Sequence, residues 1–238
     1  MAGADDTLHE FDRRMVWSGF RKLVPLSVFV TIFGAAFGLA AVQAGLESSV
    51  IVAMSTLVFA GASQFAALEL WGNQVPVFTL AITVFAINAR HLLMGATLYP
   101  WLRHLPPRRR YGVMLLASDA NWAMSLQAFA RGQPGIGILL GGGLALWVFW
   151  VLGTWLGVHF GGAIHDPRSL GLDMVMGRFL LAMLVGGERN VRILLIWVVA
   201  ACVSLLAYRY LPENSHVVAG ALAGGLAGVF WMEKADEH

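Results

Sequence analysis

Eight apolar stretches of near-membrane-spanning length recur along this chain. They run roughly Leu23–Ala44, Ser48–Leu70, Val75–Leu98, Val113–Ala130, Gly135–Val158, Gly171–Gly186, Val191–Ala207 and His216–Trp231. Crossing a bilayer as a helix takes about 20 mostly apolar residues. A chain of 238 residues so patterned has little room for anything else, so the fold class is an all-α polytopic membrane protein. Composition agrees: 58% of residues are apolar, 13% are charged and the mean hydropathy is +0.69. A soluble domain carries about 25% charged residues. Trp17, Trp71, Tyr99, Trp101, Tyr111, Tyr208, Tyr210 and Trp231 lie near segment ends, as an interfacial aromatic belt requires.

Charge decides which segments cross. Arg13, Arg14, Arg21 and Lys22 precede the first segment, and Arg103, Arg108, Arg109 and Arg110 separate the third from the fourth. Basic loops stay cytoplasmic, so both clusters belong on one side. Three full crossings between them would separate them. The second and sixth segments are the least lipid-like. The second holds Ser48, Ser49, Ser55, Thr56, Gly61, Ser63, Gln64 and Glu69, and the sixth carries Asp173 and Arg178. Interrupted backbone is tolerated at membrane depth where protein or a water cavity surrounds it. The expectation is therefore about six crossing helices plus two broken or re-entrant segments. The alternative is seven or eight simple spans. Residues 1–22 read as a cytoplasmic leader, 23–232 as a single transmembrane transport domain and 233–238 as a short tail. Three crossings and one broken segment per half would make 23–130 and 135–232 an inverted repeat, the plan of many secondary transporters.

Several chemistries are excluded. The lysines are Lys22 and Lys234, and neither follows a glycine, so no phosphate-binding GxxxxGK[ST] loop exists. The lone Cys202 forbids an intrachain disulfide. The seven histidines show no metal-ligand spacing, and neither a metal nor another cofactor is expected. A net charge of +2 gives no nucleic-acid footprint.

The candidate site residues are polar groups at membrane depth. In the second segment, Gly61, Ser63 and Gln64 read either as a tight helix contact or as a helix break whose free N–H groups hold a carboxylate. In the third, Arg90 reads as a snorkelling or paired cation, or as one that meets substrate. Asn88 and His91 share a helix face away from it. Asp119 opens the fourth segment, as a helix cap or as a functional carboxylate, beside a stripe of Ser118, Asn121, Trp122 and Ser125. Asp173 carries the same ambiguity. The pairs Gly34/Gly38, Gly137/Gly141, Gly153/Gly157, Gly220/Gly224 and Gly224/Gly228 fit small-residue helix packing. Three function classes fit these residues: a carrier, a channel or structural membrane subunit, and an intramembrane hydrolase using Ser63 and His91. No third orienting group accompanies that last pair.

At these residues the chain resembles the large subunit of the AzlC-type branched-chain amino acid export permeases. The matching stretches are Gly19 through Pro25, Gly61-Ala62-Ser63-Gln64-Phe65, Asn88-Ala89-Arg90-His91-Leu92-Leu93-Met94-Gly95, Tyr99-Pro100, Asp119 and Leu172-Asp173. The resemblance runs over about residues 17–232. It departs at Ala120, where relatives are expected to place a second acidic residue, so no carboxylate pair forms there. The resemblance implies a non-enzymatic secondary transporter of the bacterial inner membrane. It implies export of leucine, isoleucine, valine and their analogues, and a small hydrophobic AzlD-type partner subunit.

Overall fold

A computed structural model describes residues 13–72, 75–133, 135–160, 191–210 and 215–233. Every regular element among them is helical: α1 (Arg13–Gln43), α2 (Ser48–Leu57), α3 (Gly61–Glu69), α4 (Val77–Asn88), α5 (Arg90–Leu102), α6 (Pro107–Met114), α7 (Asp119–Ala130), α8 (Gly135–Phe160), α9 (Val191–Tyr210) and α10 (Ser215–Glu233). Four helical stretches among the described residues are long and apolar enough to cross a membrane: Arg13–Gln43, Val77–Leu102, Gly135–Phe160 and Ile193–Tyr210. Large apolar side chains such as Phe29, Phe78, Phe85, Leu92 and Leu205 are exposed on these helices. In water such a surface would aggregate; against lipid it is solvated.

The chain divides into two compact units. The first holds residues 1–68 and 88–173, the second 69–87 and 174–238.

The first unit is built on α1 and α8. A Cβ on Gly19 would meet the backbone of Ile138, on Gly34 that of Trp150, on Gly38 that of Thr154, on Gly153 that of Thr31 and on Gly157 that of Ala35. Both residue numbers climb together, so α1 and α8 run parallel, backbone against backbone. This is the small-residue packing the glycine pairs predict. The second half of the repeat drawn over 23–130 and 135–232 runs into residues outside the described ones.

Two helical hairpins flank this pair. A glycine with φ +83° at Gly45 ends α1, and Leu46 N–H returns to the Ala41 carbonyl, closing a Schellman turn. The helix α2 then runs back along the C-terminal half of α8, where Ser55 meets Thr154. Its helix stops at Leu57, and α3 starts at Gly61 with Gln64 N–H bonded to the Ala60 carbonyl. Gln64 reaches back to Ser55 on α2, which a continuous helix would hold far away. The second segment is thus broken, as its polar content predicts.

The fourth segment departs from expectation. It was expected to cross simply, yet it is interrupted at 115–118, between α6 and α7. Leu105 and Val113 share a core with Ile136 and Leu139, the Leu116 carbonyl lies against Gly143, and Phe129 returns to Gly135. The helix α6 therefore climbs along the N-terminal half of α8 and α7 descends it. A second Schellman turn, at Gly132 (φ +68°), closes the descent. The Arg110 guanidinium donates to the Leu102, Arg103 and Leu105 carbonyls, tying off the end of α5. Both basic clusters consequently lie at the N-terminal end of α8, the shared side that the charge reading demands.

In the second unit, α9 and α10 pack antiparallel. A Cβ on Gly220 would meet Ser204 and Ala200, one on Gly224 would meet Ala200, and Tyr208 abuts His216 edge to face.

Candidate functional site

The two hairpin tips converge on the middle of α8. Phe59 from the first tip and Ala120 from the second pack on one small cluster of Leu23, Ala145 and Leu146, joined by Phe20, Val30 and Met124. A break inside a helix frees backbone N–H and C=O groups. Such groups are affordable at membrane depth only when buried in protein or lining a cavity. Two breaks meeting at one apolar cluster therefore mark the region able to treat a small solute.

The first hairpin carries a fully buried polar network. Ser55 Oγ and Thr154 Oγ1 lie 2.9 Å apart, Gln64 Nε2 donates to Ser55 Oγ at 3.1 Å, and Trp150 Nε1 donates to Gln64 Oε1 at 3.1 Å. Thr154 also donates to the Trp150 carbonyl. Ser55, Gln64 and Thr154 are all 0% exposed. Gly61, the first residue of α3, lies under the Trp150 ring, where a Cβ would stand 3.0 Å from the indole. Phe65 stacks on Phe33 and meets Phe37 edge to face. Ser63 is buried too, yet its hydroxyl has no hydrogen-bond partner.

The second hairpin is tied by Asn121. Its Nδ2 donates to the Leu116 and Leu139 carbonyls, and its Oδ1 accepts from the Ser118 N–H and hydroxyl. Ser118, not Asp119, holds the capping position of α7. Asp119 is the first residue of that helix, and it accepts from Arg90 Nη1 at 2.6 Å. The two side chains are 37% and 31% exposed, so this ion pair is half-buried. The α7 N-terminus sets a positive helix end beside the Asp119 carboxylate. Arg90 Nε and Asn88 Oδ1 are buried without partners. His91 Nδ1 contacts the Asn88 carbonyl at 3.1 Å. Trp122 Nε1 donates to Thr97 Oγ1 at 2.9 Å, linking α7 to α5.

The predicted residues thus fall into three groups: Gly61, Ser63 and Gln64 at the first tip, Arg90 with Asp119 at the second, and Asn88 with His91 at the start of α5. Asp173 lies outside the described residues. The first group also includes Ser55, Trp150 and Thr154, which sequence reasoning did not single out. Ser55 and Thr154 are 99 residues apart, and no local signal pairs them. A better signal existed for Asn121, since Ser-x-x-Asn at 118–121 has the spacing of a helix-start box.

The family model described as AzlC protein matches residues 25–164, which takes in the later part of α1 and all of α2 through α8. An inner membrane protein of Escherichia coli, YgaZ, is 25% identical over 222 residues, covering 89% of this chain and 80% of its own length. The branched-chain amino acid transport protein AzlC of Bacillus subtilis is 26% identical, over 71% of this chain and 67% of its own length. An uncharacterized membrane protein of Archaeoglobus fulgidus is 29% identical, over 80% and 83%. No solved structure matches. A match over more than half of the chain, covering both hairpins and the α1–α8 pair, makes this membrane protein a member of the AzlC family.

Proposed function

We propose that this chain is the large subunit of a secondary transporter that exports branched-chain amino acids across the bacterial inner membrane, working with a small hydrophobic AzlD-type subunit. The observation that carries this reading is the meeting of two interrupted segments at the Leu23, Ala145 and Leu146 cluster, with polar groups on both sides of it. Membership of the AzlC family and the name of the Bacillus relative support amino acid transport. The name of the Escherichia relative supports the location.

The chemistry of the substrate matches the surroundings. A branched-chain amino acid needs an apolar pocket, a positive partner for its carboxylate and a negative partner for its ammonium. Leu23, Leu146, Phe59 and Met124 supply apolar surface. Arg90 and Asp119 offer both charges, half-exposed and already paired to each other. A zwitterion satisfies the two charges as well as they satisfy one another, so binding and release need not strand a charge in the membrane. Asp173 remains a second acidic candidate. The reading is of a carrier and not of a hydrolase, and the unpartnered Ser63 hydroxyl is in keeping with that, since no base accepts its proton.

The test is flux of labelled leucine and valine in vesicles, with and without the small subunit. Saturable, stereoselective efflux that requires both chains is expected. Arg90→Ala and Gln64→Ala should depress that flux more than they depress membrane insertion. Flux unchanged by adding the two chains would overturn the reading.

A further inference from the structure

The two hairpins follow one plan in opposite orientation. Leu57 ends α2 and Met114 ends α6; Gln64 lies in the first turns of α3 and Asn121 in those of α7. One sequence offset relates both pairs. The same offset sets Ala60 on Ala117, Phe65 on Trp122 and Gly38 on Gly95. The correspondence is also physical. Gln64 and Asn121 are each 0% exposed, each bonds back to the chain before it, Gln64 to Ser55 on α2 and Asn121 to Leu116 within the break, and each bonds to α8. The helix α2 runs against the direction of α8 and α6 runs with it, so the hairpins are inverted. This repeat lies inside the first unit and is shorter than the halves the sequence suggests.

Aligning the two helix heads on that offset sets a carboxylate against a methyl group. Asp119 at the head of α7 corresponds to Ala62 at the head of α3. The positive end of α7 therefore holds a carboxylate of its own, whereas the first turn of α3 contains no acidic residue. The N–H groups of Gly61, Ala62 and Ser63 have no acceptor within the helix. Ala60, which precedes them, has no side-chain oxygen to cap them. The Ser63 hydroxyl, 2% exposed and unpartnered, adds a donor at the same end, because helical side chains lean towards the N-terminus. Gly61 and Ala62 are only half-buried, which leaves the end approachable.

We infer that the head of α3, at Gly61, Ala62 and Ser63, is a carboxylate subsite that takes from a ligand the group which Asp119 supplies to α7. This deepens the transport reading, as a second seat for the carboxylate besides Arg90, and rests on that reading for the rest of the ligand. The ligand class is a small monocarboxylate with a branched aliphatic tail, since the tail would meet the apolar cluster at Phe59.

The experiment uses the purified full-length chain in detergent. Thermal unfolding is followed during titration with sodium isovalerate, against sodium chloride at matched ionic strength. Isopentylamine, which lacks the carboxylate, is the control. A saturable rise in Tm with isovalerate, and none with isopentylamine, is expected. Ala62→Asp places a carboxylate where α7 has Asp119, so it should abolish the rise. Ser63→Ala, a change too small to endanger folding, should raise the isovalerate midpoint by about tenfold. A wild-type chain with no saturable rise would overturn the subsite, as would an undiminished response in Ser63→Ala. The two readings separate cleanly. Isovalerate binding without leucine flux leaves the subsite standing and removes the branched-chain exporter. Leucine flux undiminished in Ser63→Ala and Ala62→Asp removes the subsite and leaves the exporter.

Discussion

The hairpins α2–α3 and α6–α7 share a plan and differ in how their polar groups are satisfied. The second satisfies its own helix head: Asn121 answers the Leu116 and Leu139 carbonyls and the Ser118 N–H, and Asp119 answers Arg90 Nη1, although Arg90 Nε stays unpartnered. The first closes only its interior, through Ser55, Gln64, Trp150 and Thr154, and leaves the Ser63 hydroxyl and the head of α3 without a partner. Buried polar groups in native proteins are almost always bonded. The exceptions collect where something else is meant to bind. Two hairpins of one plan thus differ at their helix heads, one occupied by a carboxylate of its own and one open.

Substitutions can break or sharpen this contrast. The largest effect should come from Asn121→Ala, which strands the Leu116 carbonyl and the Ser118 N–H and removes a second bond from the Leu139 carbonyl; the expected loss is about 3 kcal/mol, read from chemical unfolding in detergent. Gln64→Ala should cost less, about 2 kcal/mol, because Ser55 and Thr154 keep each other as partners. An equal or reversed order would mean that the second hairpin is not the more tightly tied. Arg90→Ala should cost about 1 kcal/mol in stability, since the pair is half-exposed and partly screened. Its effect on leucine flux should be far larger, and the exchange Arg90→Asp with Asp119→Arg should recover stability before it recovers flux. The smallest change, about 0.5 kcal/mol, is expected for Trp122→Phe, which deletes only the exposed bond to Thr97.

Much of this arrangement is written in local sequence. The polar content of 48–69 marks the first break, the basic clusters mark the shared end, and the spaced glycines mark the α1–α8 contact and the α9–α10 contact. The second break is harder to read. Residues 113–117, Val-Met-Leu-Leu-Ala, look like the start of an ordinary span. What stops the helix there is Asn121 bonding back to the Leu116 carbonyl, a local side-chain bond that apolar periodicity does not report. The Ser55–Thr154 contact was hidden for a related reason: either hydroxyl can bond its own helix backbone, as Thr154 does, so neither announces a distant partner.

The glycine contact between α1 and α8 has a mechanical corollary. Helices that meet through side chains can slide by exchanging rotamers, but here carbonyls rest in notches that a single methyl group would fill. Such a joint resists shear, and it leaves the pair to act as a fixed axle. Whatever motion presents a solute to one compartment and then the other must be carried by the lighter pieces hung on that axle, the short helices on either side of the two breaks.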